Sequence, residues 1–142
     1  MSHAALTLNP YLAFSGNCRE ALEFYATLPD ARLNETFTFE GSPLTADLPA
    51  EWHSKIMHGS VNIGGQIVMA CDSPPGHGAP GFNGVSLSIT VGDADRAETY
   101  FKALSSGATI TMPMQETFFA KRFGMLTDRF GVPWMVHCEG AA

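Results

Sequence analysis

The chain reads as an α+β protein made of two tandem βαβββ modules that share a sheet, and three observations in its 142 residues predict this. The stretch "GNCREALEFYATL" from Gly16 matches "GDADRAETYFKAL" from Gly92, with Asn17 on Asp93, Ala21 on Ala97 and Leu28 on Leu104. Each copy follows a short β-like run, "YLAFS" or "VSLSITV", and precedes a strand candidate, "RLNETFTFE" or "ATITMPM". Each then runs into a hairpin, "KIMHGSVNIGGQIVMACD" in the first module and "FFAKRFGMLTDRFGVPWMVHC" in the second. Two copies of a repeat this long do not make a solenoid, so a duplicated pair is the economical reading.

Taken in order, Asn17 and Asp93 are expected N-caps, their side-chain oxygens accepting from orphan N–H groups of the first helical turn. Beyond them Ala21, Leu22, Tyr25 and Leu28, like Ala94, Ala97, Phe101 and Leu104, recur at helical spacing and give each helix one apolar face. The first hairpin should turn at Gly64-Gly65 and the second around Asp128 to Gly131. There Gly131 is free to take a positive φ, Asp128 suits hydrogen bonds to the turn backbone, and Pro133 fits the first position of an edge strand. Module one covers about 5–73, with an extra loop at "EGSPLTADLPAEW"; a Gly/Pro-rich connector covers about 74–82, and module two about 83–139.

Composition narrows the function classes. At 45% hydrophobic and 15% charged, the chain has enough apolar surface to offset the entropy of folding. A net charge of −6 with eight Lys and Arg scattered along the chain excludes a phosphate-backbone partner, which needs clustered cations. No apolar run reaches the length of a spanning helix, and "MSHAALTLNP" has neither a basic nor a long apolar leader region, which predicts a cytoplasmic protein with no membrane contact. Cys18, Cys71 and Cys138 lack CxxC spacing and read as free thiols.

The stretches "YLAFSGNCREALEFY", "MHGSVNIGGQIVMACD" and "QETFFAKRFGMLTDRFGVPWMV" resemble the PhnB-like subgroup of the vicinal-oxygen-chelate superfamily, also called the glyoxalase/bleomycin-resistance/dihydroxybiphenyl-dioxygenase fold. The resemblance implies a curved mixed sheet around a cup-shaped cavity and a homodimer. In the superfamily the cup holds a divalent metal, with ligands on the first and last strands of each module. Those places fall on Pro10, Ser86, Met69 and Met135, none of them a usual ligand for such an ion, so no metal and no cofactor are expected. A metal-dependent lyase, isomerase or dioxygenase would need relocated ligands among His58, Asp72, Glu116 and His137. The subgroup also carries a demethylubiquinone methyltransferase name, yet "IGGQ" and "GFNG" precede strands, whereas a nucleotide-type glycine turn opens a helix.

The expected ligand is therefore a small molecule held in the cup. Strict alternation through "ATITMPMQETFF" puts Ile110, Met112, Met114, Glu116 and Phe118 on one face, which makes Glu116 a candidate catalytic base if that face is desolvated. A turn at Gln115-Glu116 would instead send it to solvent, or to Lys121 or Arg122. His58 shares a strand face with Ser60 and Asn62, a set that lines a pocket or coats an exposed sheet. Together with Phe118, Trp134, Met69 and Met135 it makes up the expected ligand contacts.

Overall fold

The computed structural model describes residues 5–77 and 81–139 and divides into two compact units, residues 1–79 and 80–142. Three residues of the expected connector, 78–80, and His3 lie outside the described residues.

In the first unit the order is β1 (Tyr11–Phe14), α1 (Cys18–Tyr25), β2 (Ala31–Leu33), β3 (Phe37–Thr38), β4 (Ile56–Ile63) and β5 (Gln66–Asp72). The sheet runs β1-β5-β4-β2, with β3 also paired to β4. The strand expected over "RLNETFTFE" is thus broken in two. The register slips within β3, and the extra loop folds as two short 3-10 turns, Thr45–Asp47 and Ala50–Trp52. β1 lies parallel to β5, while β2, β3 and β5 run antiparallel to β4. Gly64 and Gly65, at φ +58° and +88°, close the β4–β5 hairpin in the left-handed region that such two-residue turns require. Ala21, Leu22 and Tyr25 of α1 and Leu28 just beyond it are buried, as are Val68, Ala70 and Asp72 at alternate positions of β5.

The second unit repeats the plan more plainly: β6 (Leu87–Val91), α2 (Ala94–Leu104), β7 (Thr109–Gln115), β8 (Arg122–Thr127) and β9 (Pro133–Cys138), in sheet order β6-β9-β8-β7. Ala97, Tyr100, Phe101 and Leu104 of α2 are buried together with Trp134, Val136 and Cys138 of β9 and Leu126 of β8. Gly124 of β8 admits α2 closely, since a Cβ there would stand 2.7 Å from both Phe101 Cε1 and Met114 Sδ. Pro133 does open a strand, but a central one rather than an edge, because β9 pairs with both β6 and β8.

Each unit therefore carries its own mixed sheet with a helix on one face. Strand alternation divides every strand into residues facing the helix and residues facing away. Pairing fixes which are which: Tyr11 faces Met69, and Ser88 faces Met135. The first-strand places beside the two methionines are thus Tyr11 and Ser88 rather than Pro10 and Ser86. The first unit has one residue more between strand and helix, which shifts the repeat by a position there.

Candidate functional site

On the helix-free face of the first unit, β1 contributes Tyr11 and Ala13, β4 contributes His58, Ser60 and Asn62, and β5 contributes Ile67, Met69 and Cys71. The Tyr11 hydroxyl lies 2.9 Å from His58 Nδ1 and also hydrogen-bonds the Cys71 thiol. Burial, then the nearby Cys71, raises the Tyr11 phenol above its ordinary value, so at neutral pH the hydroxyl keeps its proton and stands between two hydrogen-bonding atoms, His58 Nδ1 and the Cys71 sulfur. Among the described residues no side chain hydrogen-bonds the other ring nitrogen, Nε2. Burial also raises the Cys71 thiol; the bond from Tyr11 opposes this and Asp72 adds to it, so Cys71 is a thiol rather than a thiolate nucleophile. Around the dyad stand the apolar Met69 and Phe37, the latter opposite His58 across β3–β4, and Ser60, whose Oγ accepts from Asn34 Nδ2 at 3.1 Å.

The back of this face is held by Asp72, buried at the end of β5. Its Oδ1 accepts from the N–H groups of Gly16 and Cys18 at 2.9 Å each, and its Oδ2 from Ile56 N–H at 3.0 Å. This corrects the expected N-cap of α1: the Asn17 side chain makes no capping bond, and the Asp72 carboxylate serves the helix start instead. In α2 the expectation holds, Asp93 Oδ1 accepting from Arg96 N–H at 2.7 Å.

The second unit presents Ser88 and Thr90 of β6, Phe123, Met125 and Thr127 of β8, and Met135 and His137 of β9 on its helix-free face. Trp134 lies on the other side of the same strand. It is 2% exposed, packed among the helix-side core, and donates its Nε1–H to Asp128 Oδ2 at 2.8 Å. Asp128 Oδ1 accepts from Phe130 and Val132, closing the β8–β9 turn.

Of the residues singled out from sequence, His58 and Met69 come together on one face, and Met135 occupies the matching place of the other unit. Trp134 does not join Met135. Glu116 stands just past β7 and is exposed, so the desolvation that a general base required is missing. The alternation that predicted its burial is broken by register shifts on both sides of Met112. Arg122, one suggested partner for Glu116, is held by Glu98 instead, with Nε 2.7 Å from Oε1. Phe118 is 96% exposed. Sequence reasoning passed over Tyr11, whose place opposite Met69 appears only once β1 is paired with β5.

Two βαβββ-type units, each with a helix-free sheet face, define a protein of the glyoxalase/bleomycin-resistance fold. The same fold is seen in a glyoxylase/bleomycin resistance protein/dioxygenase domain from Frankia sp. EAN1pec, at 16% identity and a TM-score of 0.65 over 98% of this chain and all of that one. Residues 7–137 match the family described as 3-demethylubiquinone-9 3-methyltransferase, and the chain belongs to this PhnB-like family. It is 43% identical to protein PA1353 from Pseudomonas aeruginosa, with a TM-score of 0.85 over 95% of this chain and 98% of that one. It is 34% identical to protein YjdN of Escherichia coli over 93% of this chain and 95% of that protein. A putative 3-demethylubiquinone-9 3-methyltransferase, PhnB protein, from Bacillus cereus is 24% identical, with a TM-score of 0.78 over 94% and 99%.

The divalent metal implied by the wider fold does not fit these residues. Such an ion needs at least three converging imidazole or carboxylate ligands. The places beside the paired strands hold two thioethers, a phenol and a serine hydroxyl, and among the described residues no three His, Cys, Asp or Glu side chains gather as a ligand set.

Proposed function

We propose that the protein binds a small molecule on the helix-free faces of its sheets, as a cytoplasmic homodimer and without a catalytic metal. The observation that carries this reading is the Tyr11–His58 pair. Tyr11 holds the imidazole on a sheet face shared with Met69 and Phe37, and one placed polar ring beside apolar side chains suits a ligand carrying a hydrogen-bonding group. The methyl transfer named in the family description lacks support in the glycine turns: Gly64 and Gly65 join two strands rather than a strand and a helix.

The test is a metabolite panel read by thermal shift on protein purified without chelators. A true ligand at 100 times its Kd stabilises by about 2.7 kcal/mol, and His58→Ala removes the shift while Tyr11→Phe weakens it. A stoichiometric transition metal in the same preparation, or hits indifferent to both substitutions, would overturn the reading.

A further inference from the structure

His137 stands in the middle of the second unit's helix-free face, paired with Thr90 on β6 and Phe123 on β8. Its Nε2 is shut off from water and has no hydrogen-bond partner among the described residues. A buried polar atom left in that state costs about 1–3 kcal/mol, and native proteins keep few of them without a use. The imidazole packs in an aromatic cluster: centroid to centroid, the Phe119 ring lies 5.9 Å and the Phe123 ring 6.0 Å from it, and the two phenylalanines are 5.2 Å apart, all edge to face.

Two of these three rings are anchored on central strands. Phe119 is not; it sits in the segment between β7 and β8, is 47% exposed, and its other ring contact among the described residues is Phe118, at 5.2 Å. The other residues that the strands bring to this face, Ser88, Thr90, Met125, Thr127 and Met135 with Met112 and Gln115 of β7, carry no charge, so an ionic ligand group beside His137 would lack a counter-charge. A hydroxyl meets the requirement in either imidazole tautomer, because it both donates and accepts.

We infer that Phe119 is the displaceable cover of a subsite in which a neutral ligand hydroxyl hydrogen-bonds His137 Nε2, while the ligand's aromatic or alkyl body takes the cover's place against Phe123. This deepens the small-molecule reading and rests on it, but it is carried by the second unit alone and needs neither Tyr11 nor His58.

The experiment uses the full chain with ¹⁵N-labelled histidine, titrated with phenol and with toluene, its near-isostere without the hydroxyl. Phenol is expected to shift the His137 Nε2 resonance and to bind about tenfold more tightly than toluene, the measure of one net hydrogen bond. His137→Phe is expected to bring the two Kd values together while toluene still binds, and Phe119→Ala to tighten both. Equal affinities in the unsubstituted protein, an unmoved Nε2 resonance at millimolar phenol, or a preference for phenol that survives His137→Phe would each overturn the inference. A phenol preference abolished by Tyr11→Phe and untouched by His137→Phe would sink it while leaving the first-unit site standing.

Discussion

Asp72→Ala tests how the first unit is held together behind its candidate site. The carboxylate takes three backbone N–H groups from three separate segments: Gly16 before α1, Cys18 at its start, and Ile56 at the start of β4. The Cys18 and Ile56 donors are buried, whereas Gly16 is reached more easily by water. Removing the acceptor strands two buried donors at about 1–3 kcal/mol each, so the loss should centre near 4 kcal/mol. That is a large share of the 5–15 kcal/mol typical of a domain, and about 10 °C or more in Tm for a chain of this size. Asp72→Asn keeps one oxygen for Gly16 and Cys18 but sets an NH₂ against Ile56 N–H, and should cost about half as much. Urea unfolding followed by circular dichroism measures both, with the exposed Asp47→Asn as a control expected within about 0.5 kcal/mol of the parent. A loss below about 1 kcal/mol for Asp72→Ala at unchanged m-value would refute the argument, as would equal losses for Ala and Asn.

Three further outcomes follow from the packing. Trp134→Phe withdraws the indole donor from Asp128 Oδ2 on the helix side, so it should cost about 1–3 kcal/mol in chemical unfolding yet leave phenol binding on the opposite face unchanged. Gly124→Ala puts a methyl group 2.7 Å from Phe101 Cε1 and Met114 Sδ, and a loss of about 1–3 kcal/mol is expected by the same assay; a neutral result would mean α2 is not seated closely on β8. Burial, with help from Asp72, raises the Cys18 thiol far above its ordinary 9.0, so the unfolded chain ionises first. Stability is then full below pH 9 and falls above it by about 1.4 kcal/mol per pH unit for this thiol, and Cys18→Ala should flatten that alkaline limb, leaving the smaller part due to Cys71.

The features legible in the sequence were those set by neighbours along the chain. Ala21, Leu22, Tyr25 and Leu28 announce a buried helix face by spacing alone, Gly64-Gly65 announces a two-residue hairpin, and Asp93 caps α2 from within its own turn. What stayed hidden depends on distant partners. Asn17 has the chemistry of a cap, but it is Asp72, far along the chain, that accepts from N–H groups on either side of it, Gly16 and Cys18. The bulges beside Met112 depend on how β7 meets β8, so alternation counted forward to Glu116 lost its phase. Trp134 and Met135 are adjacent on a strand and face opposite ways, and the same parity puts His137 on the side of Met135.

Parity also shows how the two copies diverged. Ser60 pairs with Met69 as Met125 pairs with Met135, so His58 and Phe123, each two residues earlier, occupy equivalent places, as do Cys71 and His137, each two residues after the methionine. Each face has kept its methionine and one imidazole, but the imidazole sits on β4 in the first unit and on the last strand in the second. The first is oriented by a phenol at Nδ1; the second packs against two phenylalanine rings with its Nε2 unmet among the described residues. On the reading proposed above, the two faces thus meet a ligand's polar group from different strands, β4 in the first unit and β9 in the second.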